Sequence, residues 1–237
     1  MNEEKRLIIV AYRIPFKATF DEEGNRTLQQ NSGGLVSAIL SLAEKEDALN
    51  SNKKIHWFGY STPDILQEGE AQVENDNFIV HPILLDDAMN ESYYEGFCNS
   101  TIWPISHYYP YLTTFKEEDY DAYVLANKIF ADKINAFIRP GDVVWVQDYQ
   151  LMLLPAMIRE AHPEASIGYF HHIPFPTFEI FRLLPRLWQA ELLKGLVGAD
   201  LIGFHTNDYS QYFLRSVQRI LGYDTSVRDI SVQNRMV

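Results

Sequence analysis

The sequence predicts an α/β fold, a doubly wound and mostly parallel sheet of Rossmann-like type with helices on both faces. Three observations carry that prediction. Short apolar runs rich in Ile, Val, Phe and Tyr recur along the chain, and longer segments with apolar residues at helical spacing separate them. Several runs show no polar alternation, which suits strands covered on both faces. The 237 residues are enough to bury a sizeable core, and we expect a single domain over 1–237.

RLIIVAYR at 6–13 reads as the first strand, with Arg13 at its carboxyl end. Residues 14–31 (IPFKATFDEEGNRTLQQN) are polar without clear period, so a long loop is expected there. Ser32-Gly33-Gly34 then opens a helix predicted over 33–48. KIHWFGY at 54–60 and FIVHPIL at 78–84 are the next strands. Helices are predicted over 91–101 and 117–137 from their apolar spacing, and DVVWVQ at 142–147 returns to the sheet. A helix over 151–161 leads to the strand SIGYFH at 166–171. The prolines of HIPFP stop that strand, because proline lacks the ladder donor and fixes the exit of the chain. A helix over 185–197, the strand ADLIGF at 199–204 and a helix over 206–221 complete the pattern. Residues 224–237 carry only a weak strand-like alternation.

A formal net charge of −12 argues against a nucleic-acid surface, which needs a basic patch. Cys98 is the only cysteine, so neither an intrachain disulfide nor a thiolate metal cluster is expected. No HExxH or comparable Cys/His set points to a metal, and no cofactor is expected. The start MNEEKRLIIVAYR lacks the layout of a secretory signal, and no apolar run reaches the roughly 18 residues of a membrane helix. A cytoplasmic location is the default expectation.

In a doubly wound sheet, ligands gather beyond the carboxyl ends of the strands. Arg13 there is placed to grip a phosphate, or to be a surface arginine that opens a loop. Gly33 and Gly34 fit either a diphosphate at a helix start or an ordinary turn capped by Ser32. Tyr94 and Trp103 are nine residues apart, about two and a half α-helical turns, and we expect them to share roughly one face, as core packing or as the wall of a sugar site. Asp148 fits a sugar-hydroxyl acceptor or a helix cap, and no second carboxylate marks a glycoside hydrolase. His171 points into one layer and His172 lies past the strand end, so His172 is the better candidate for a cleft.

Together the stretches SGGLVSAI (32–39), WFGYS (57–61), YYEGFCNSTIWP (93–104), WVQDYQLMLLP (145–155), IGYFHHIPFPTFEIFRLLP (167–185) and ELLKGLVGADLIGFHTNDYSQYFL (191–214) resemble the trehalose-6-phosphate synthases, retaining glycosyltransferases of the GT-B fold. The resemblance implies transfer of glucose from UDP-glucose to glucose 6-phosphate, without a metal or a protein nucleophile. It implies acceptor contacts at Arg13, Trp57, Tyr94, Trp103 and Asp148, and backbone contacts to the donor diphosphate at Gly33 and Gly34. His172 would face the transferred glucose, and His172 with Asp148 form the expected catalytic pair. Family members commonly read His-Asp-Tyr where this chain has Gln147-Asp148-Tyr149, and Ser-Asn where Ala11-Tyr12 precede Arg13. GT-B enzymes close a second domain over the first, so the chain is expected to be the amino-terminal, acceptor-side half, partnered by a donor-binding carboxy-terminal domain that it lacks. Two alternatives stay open: a non-catalytic or regulatory sugar-phosphate-binding homologue, including one fused to a phosphatase, and a transferase acting on a phosphorylated polyol.

Overall fold

The computed structural model describes residues 5–23, 26–31, 35–39, 41, 54–66, 70–74, 77–232 and 235–237. Seven strands form the main sheet: β1 (Leu7–Arg13), β4 (Ile55–Tyr60), β5 (Val73–Glu74), β6 (Phe78–Ile83), β7 (Val143–Gln147), β8 (Ser166–His171) and β9 (Leu201–Phe204), in the order β5-β6-β4-β1-β7-β8-β9. All pairings are parallel except that of β5 with β6. The short antiparallel edge strand β5 was not anticipated.

Strand β1 shows why the apolar runs do not alternate. Ile8, Val10 and Tyr12 pack into one core, while Ile9 and Ala11 pack into the other on the opposite face. With both faces dry, period-two polarity has no place to appear. The larger core takes in the helices α2 (residues 87–106), α3 (Glu117–Asn135), α4 (Leu154–Ala161), α5 (Phe178–Phe181), α6 (Arg186–Leu196) and α7 (Asn207–Leu221). Residues 35–39, here α1, are helical, and Val36 and Ile39 enter the smaller core. The rest of the helix predicted over 33–48, apart from 41, lies outside the described residues, as do Gly33 and Gly34.

Two expectations are corrected. Residues 14–31 are not an unstructured loop: β2 (Phe16–Phe20) and β3 (Arg26–Gln30) pair antiparallel, Phe16 with Gln30 through Phe20 with Arg26. Most of their side chains are at least partly exposed, so the hairpin needs no hydrophobic stripe that a sequence could display. The predicted helix 91–101 is longer and wider. It runs without a break from Asp87 to Ser106, and Glu91–Ile102 is π-helical, closing with the Trp103 N–H on the Cys98 carbonyl. With i→i+5 bonds a turn takes about four and a half residues, so the nine residues from Tyr94 to Trp103 amount to about two turns. That winding brings the two positions round to similar angles about the helix axis, which two and a half turns of α-helix would not do. At the carboxyl end, β10 (Ser231–Val232) and β11 (Arg235–Met236) make a small antiparallel pair in place of the weak alternation expected there.

Helices α4 and α6 touch backbone to backbone, which fixes the layer under β7 and β8. A Cβ on Gly195 would lie 2.3 Å from the Met152 carbonyl oxygen, and one on Gly198 would lie 2.3 Å from the Ala156 nitrogen. Neither neighbour is a side chain that can swing away. Gly195→Ala is expected to lower the thermal midpoint by several degrees, corresponding to about 1–3 kcal/mol of overpacking, measured by calorimetric or circular-dichroism unfolding.

Candidate functional site

The chain leaves β1 toward β4 and β6 on one side of the sheet and returns through β7 on the other, so the strand order reverses between β1 and β7. A crevice opens at the carboxyl ends of the strands at such a reversal. A cavity of about 360 Å³ occupies this place, and its wall includes Tyr12, Arg13, Trp57, Tyr94, Gln147 and Asp148. That volume is within the range of small-molecule sites.

Arg13 is the last residue of β1 and is exposed. Its guanidinium carbon stands 5.7 Å from the Tyr12 ring and 5.4 Å from the Tyr94 ring. Arg13, Ile14 and Asn31 also border a second cavity that includes Lys17, Ser61 and Asp64, so two cations and one carboxylate meet at this edge of an acidic protein. The Arg13 backbone is seated from below. A Cβ on Gly59 would lie 2.8 Å from both the Arg13 carbonyl carbon and the Ile14 nitrogen. Gly59→Ala must therefore displace the end of β1, and it is expected to weaken ligand binding at the cavity as well as to lower stability, read together by calorimetric titration and thermal unfolding.

The rings at the mouth are stacked. Tyr12 lies parallel to Tyr94 with centroids 4.2 Å apart, and parallel to Tyr60 at 5.4 Å. The Tyr12 hydroxyl donates to Asn90 Oδ1 at 2.9 Å, and burial pushes its pKa well up, so it stays a neutral phenol. Trp57 borders the cavity, as expected, from its core side. It is fully buried, and its indole N–H donates to the Arg13 carbonyl at 3.1 Å, so it braces Arg13 from the core side. Trp103 is not part of the cavity wall. Its ring stacks on His107 with centroids 4.0 Å apart and is 39 % exposed.

Asp148 follows β7 with φ 71° and ψ 171°, a region that residues other than glycine rarely occupy. Such strain, of order 1–3 kcal/mol, persists only when the surroundings impose it. Both sequence readings of this residue meet here. Oδ1 accepts from the Tyr149 N–H at 2.9 Å, capping the turn Tyr149–Leu151, and from the His172 N–H at 3.0 Å, while the residue also lines the cavity. Burial pushes the carboxyl up to about 6, against the pull of those two donors.

His172 lies behind this wall, and its backbone bond to Asp148 ties the end of β8 to the end of β7. Its Nε2 is 2.8 Å from Gln147 Oε1. Burial, and then the His205 ring 5.8 Å away, hold the imidazole down to about 4, so it is neutral near pH 7. His171 is buried, its Nδ1 3.0 Å from the Tyr169 hydroxyl, and burial holds it down to about 3. The structure thus brings Arg13, Tyr94, Asp148 and His172 to one rim of the sheet. Sequence reasoning passed over Asn31, and it gave Tyr12, Tyr60 and Gln147 no role of their own, although Tyr12 and Gln147 adjoin chosen residues. No group of three or more His, Cys, Asp or Glu able to hold a metal occurs among the described residues. No helix among them is long and apolar enough to cross a membrane.

Comparisons with known proteins bear on the family and the fold of the chain. The sequence profile of glycosyltransferase family 20 matches residues 5–237. The α,α-trehalose-phosphate synthase (UDP-forming) of Emericella nidulans is 37 % identical over 243 residues, covering 100 % of this chain and 46 % of that protein. The chain spans about half the length of the curated synthases it matches. Among solved structures, a Burkholderia xenovorans α,α-trehalose-phosphate synthase in complex with glucose 6-phosphate superimposes with a TM-score of 0.78 at 28 % identity, covering 98 % of this chain and 48 % of that one. An Escherichia coli protein described as trehalose-6-phosphate bound with UDP-2-fluoro glucose gives a TM-score of 0.78 at 28 % identity, covering 98 % and 47 %.

Proposed function

This chain belongs to glycosyltransferase family 20, and we propose that it forms the acceptor-side half of a UDP-forming trehalose-6-phosphate synthase. In this role it holds glucose 6-phosphate in the cavity between the ends of β1 and β7, and the whole protein transfers glucose to it from UDP-glucose with retention. The observation that carries the reading is the convergence of an exposed guanidinium, a stacked aromatic wall and a strained carboxylate on that cavity. Arg13 takes the phosphate, which the planar fork of its guanidinium suits. Tyr94 offers an apolar ring face to the sugar, and Asp148 accepts from sugar hydroxyls. Trp57 acts through the Arg13 backbone. Trp103, about two turns beyond Tyr94 along α2, meets an acceptor when its ring turns from His107.

Gly33 and Gly34 are proposed to approach the donor diphosphate through their N–H groups. His172 faces the transferred glucose. No step uses a protein nucleophile, so the work of the site is positioning and stabilisation of charge on the departing diphosphate. The remaining donor contacts are assigned to a carboxy-terminal domain that makes up the other half of the family's length, and the cytoplasm is the proposed location.

Calorimetric titration tests this directly. The chain is expected to bind glucose 6-phosphate saturably and more tightly than glucose or inorganic phosphate, with Arg13→Ala weakening the sugar phosphate selectively. Alone with UDP-glucose and glucose 6-phosphate, it is expected to make no detectable trehalose 6-phosphate. Equal affinity for glucose and its 6-phosphate would remove the acceptor reading, and measurable synthesis would remove the half-site reading.

A further inference from the structure

Gln147 is the last residue of β7, it is 1 % exposed, and it stands in the cavity wall, whereas His172 does not. Its side-chain oxygen lies 2.8 Å from His172 Nε2. An amide oxygen only accepts, so with the Gln147 amide in this orientation the proton of the imidazole sits on Nε2, and Nδ1 keeps its lone pair. His172 Nδ1 makes no hydrogen bond among the described residues. The same residue is gripped a second time, through its backbone N–H, which donates to Asp148 Oδ1 at 3.0 Å. Two consecutive residues of one strand end therefore hold one residue of the next, the first through the ring and the second through the main chain.

We propose that Gln147 is the positioning residue for His172, fixing the ring as the Nε2–H tautomer so that Nδ1 is presented as a hydrogen-bond acceptor. The consequence is a chemical preference. A lone pair on a neutral ring accepts from a sugar hydroxyl and repels the oxygens of a phosphate, whereas an imidazolium would attract them. The groups around the ring are Phe170 on its own strand, with centroids 4.7 Å apart, His205 beyond β9 at 5.8 Å, and Asp148 and Gln147 from β7. Only Asp148 among them carries negative charge, and it meets the backbone N–H, so nothing near the ring supports a proton on Nδ1. The Gln147 Nε2 amide is buried without a partner among the described residues. Either orientation of the amide leaves one of its ends alone: reversed, the amide would donate to His172 Nε2 and put the ring proton on Nδ1, so the tautomer of the ring reports which orientation the site holds.

The proposal rests on the acceptor-site reading only for the purpose it gives to Nδ1, since the tautomer belongs to the free protein. Nitrogen-15 NMR of the histidine rings in the intact chain tests it. His172 is expected to show a protonated Nε2 and an unprotonated Nδ1, with a titration midpoint more than one pH unit below that of an ordinary histidine. Gln147→Glu keeps an acceptor at Nε2, so it should preserve the tautomer while raising the midpoint by more than one unit. Gln147→Leu should leave a mixture of tautomers and weaken the response of His172 to sugar titration, with the fold intact by circular dichroism. A wild-type ring protonated on Nδ1, or a Gln147→Leu ring with unchanged tautomer and midpoint, overturns the proposal. Loss of glucose 6-phosphate binding alone would sink the acceptor-site reading and leave this one standing.

Discussion

Asp148→Asn is expected to make the free protein more stable at pH 8 and, at the same time, a poorer binder of glucose 6-phosphate by about 10- to 100-fold. The two effects have one cause. Oδ1 takes the Tyr149 and His172 backbone donors, and an asparagine oxygen in its place can accept both. What the substitution removes is charge. A carboxyl displaced from the ordinary carboxylate range to about 6 costs roughly 3 kcal/mol when it ionises in the folded protein. Because the folded pKa is raised, this penalty is absent below about pH 4 and grows as pH rises through 6. The stability gained by Asn should therefore be present at pH 8 and disappear by pH 4. Binding falls because a charge-assisted hydrogen bond to a sugar hydroxyl is replaced by a neutral one, worth a loss of about 1.5–3 kcal/mol at most. Thermal unfolding at the two pH values, beside calorimetric titration at pH 8, reads both. A variant that is less stable at pH 8 and no weaker as a binder would remove Asp148 from the site.

The histidines work in the opposite direction and should dominate in mild acid. His56 and His81 lie in the core with ring nitrogens 3.0 Å apart, wedged against Phe137, and burial lowers both, His81 to about 4. His171 and His172 are held down to about 3 and 4. Each is neutral in the folded protein and takes up a proton on unfolding once pH falls below about 6.5. Folded pKa values below the unfolded ones mean that the unfolded chain binds more protons between about pH 6.5 and 4, so stability falls as pH falls through that window. Each group adds up to about 1.4 kcal/mol per pH unit of slope. Asp148 opposes with one proton, which leaves a net loss. The thermal midpoint is expected to drop steeply from pH 6.5 to 4.5. His81→Phe, which keeps the stack on Phe58 and removes the titrating ring, should flatten that drop. An unchanged slope would show that the His56 and His81 pair is protonated without cost.

Much of this fold was legible because burial leaves a plain mark. Strands β1, β7 and β8 are dry enough to read as apolar runs, and their boundaries fall within one residue of those expected. The hairpin of β2 and β3 was not legible, since FKATF and RTLQQ bury too little to show a face. The π-helical winding of Glu91–Ile102 leaves no compositional trace at all, yet it decides whether Tyr94 and Trp103 align. Within the site, strand ends identified Arg13, Asp148 and His172. Tyr12 was noticed as a departure from a familiar pattern, and Gln147 as that and as a strand end, without a role for either. Their roles depend on a ring stack and on one side-chain oxygen, and both are matters of tertiary geometry. Trp57 was chosen as a pocket-lining ring and does border the cavity, while its N–H bond to the Arg13 carbonyl was not foreseeable from sequence.

The most direct test of a sugar-phosphate cradle between β1 and β7 is an amide NMR titration of the intact chain with glucose 6-phosphate. The account predicts saturable shifts at Arg13, Tyr94, Gln147, Asp148 and His172, with the amides around His56 and His81 unmoved. Shifts that gather elsewhere on the surface, or none at millimolar ligand, would contradict it.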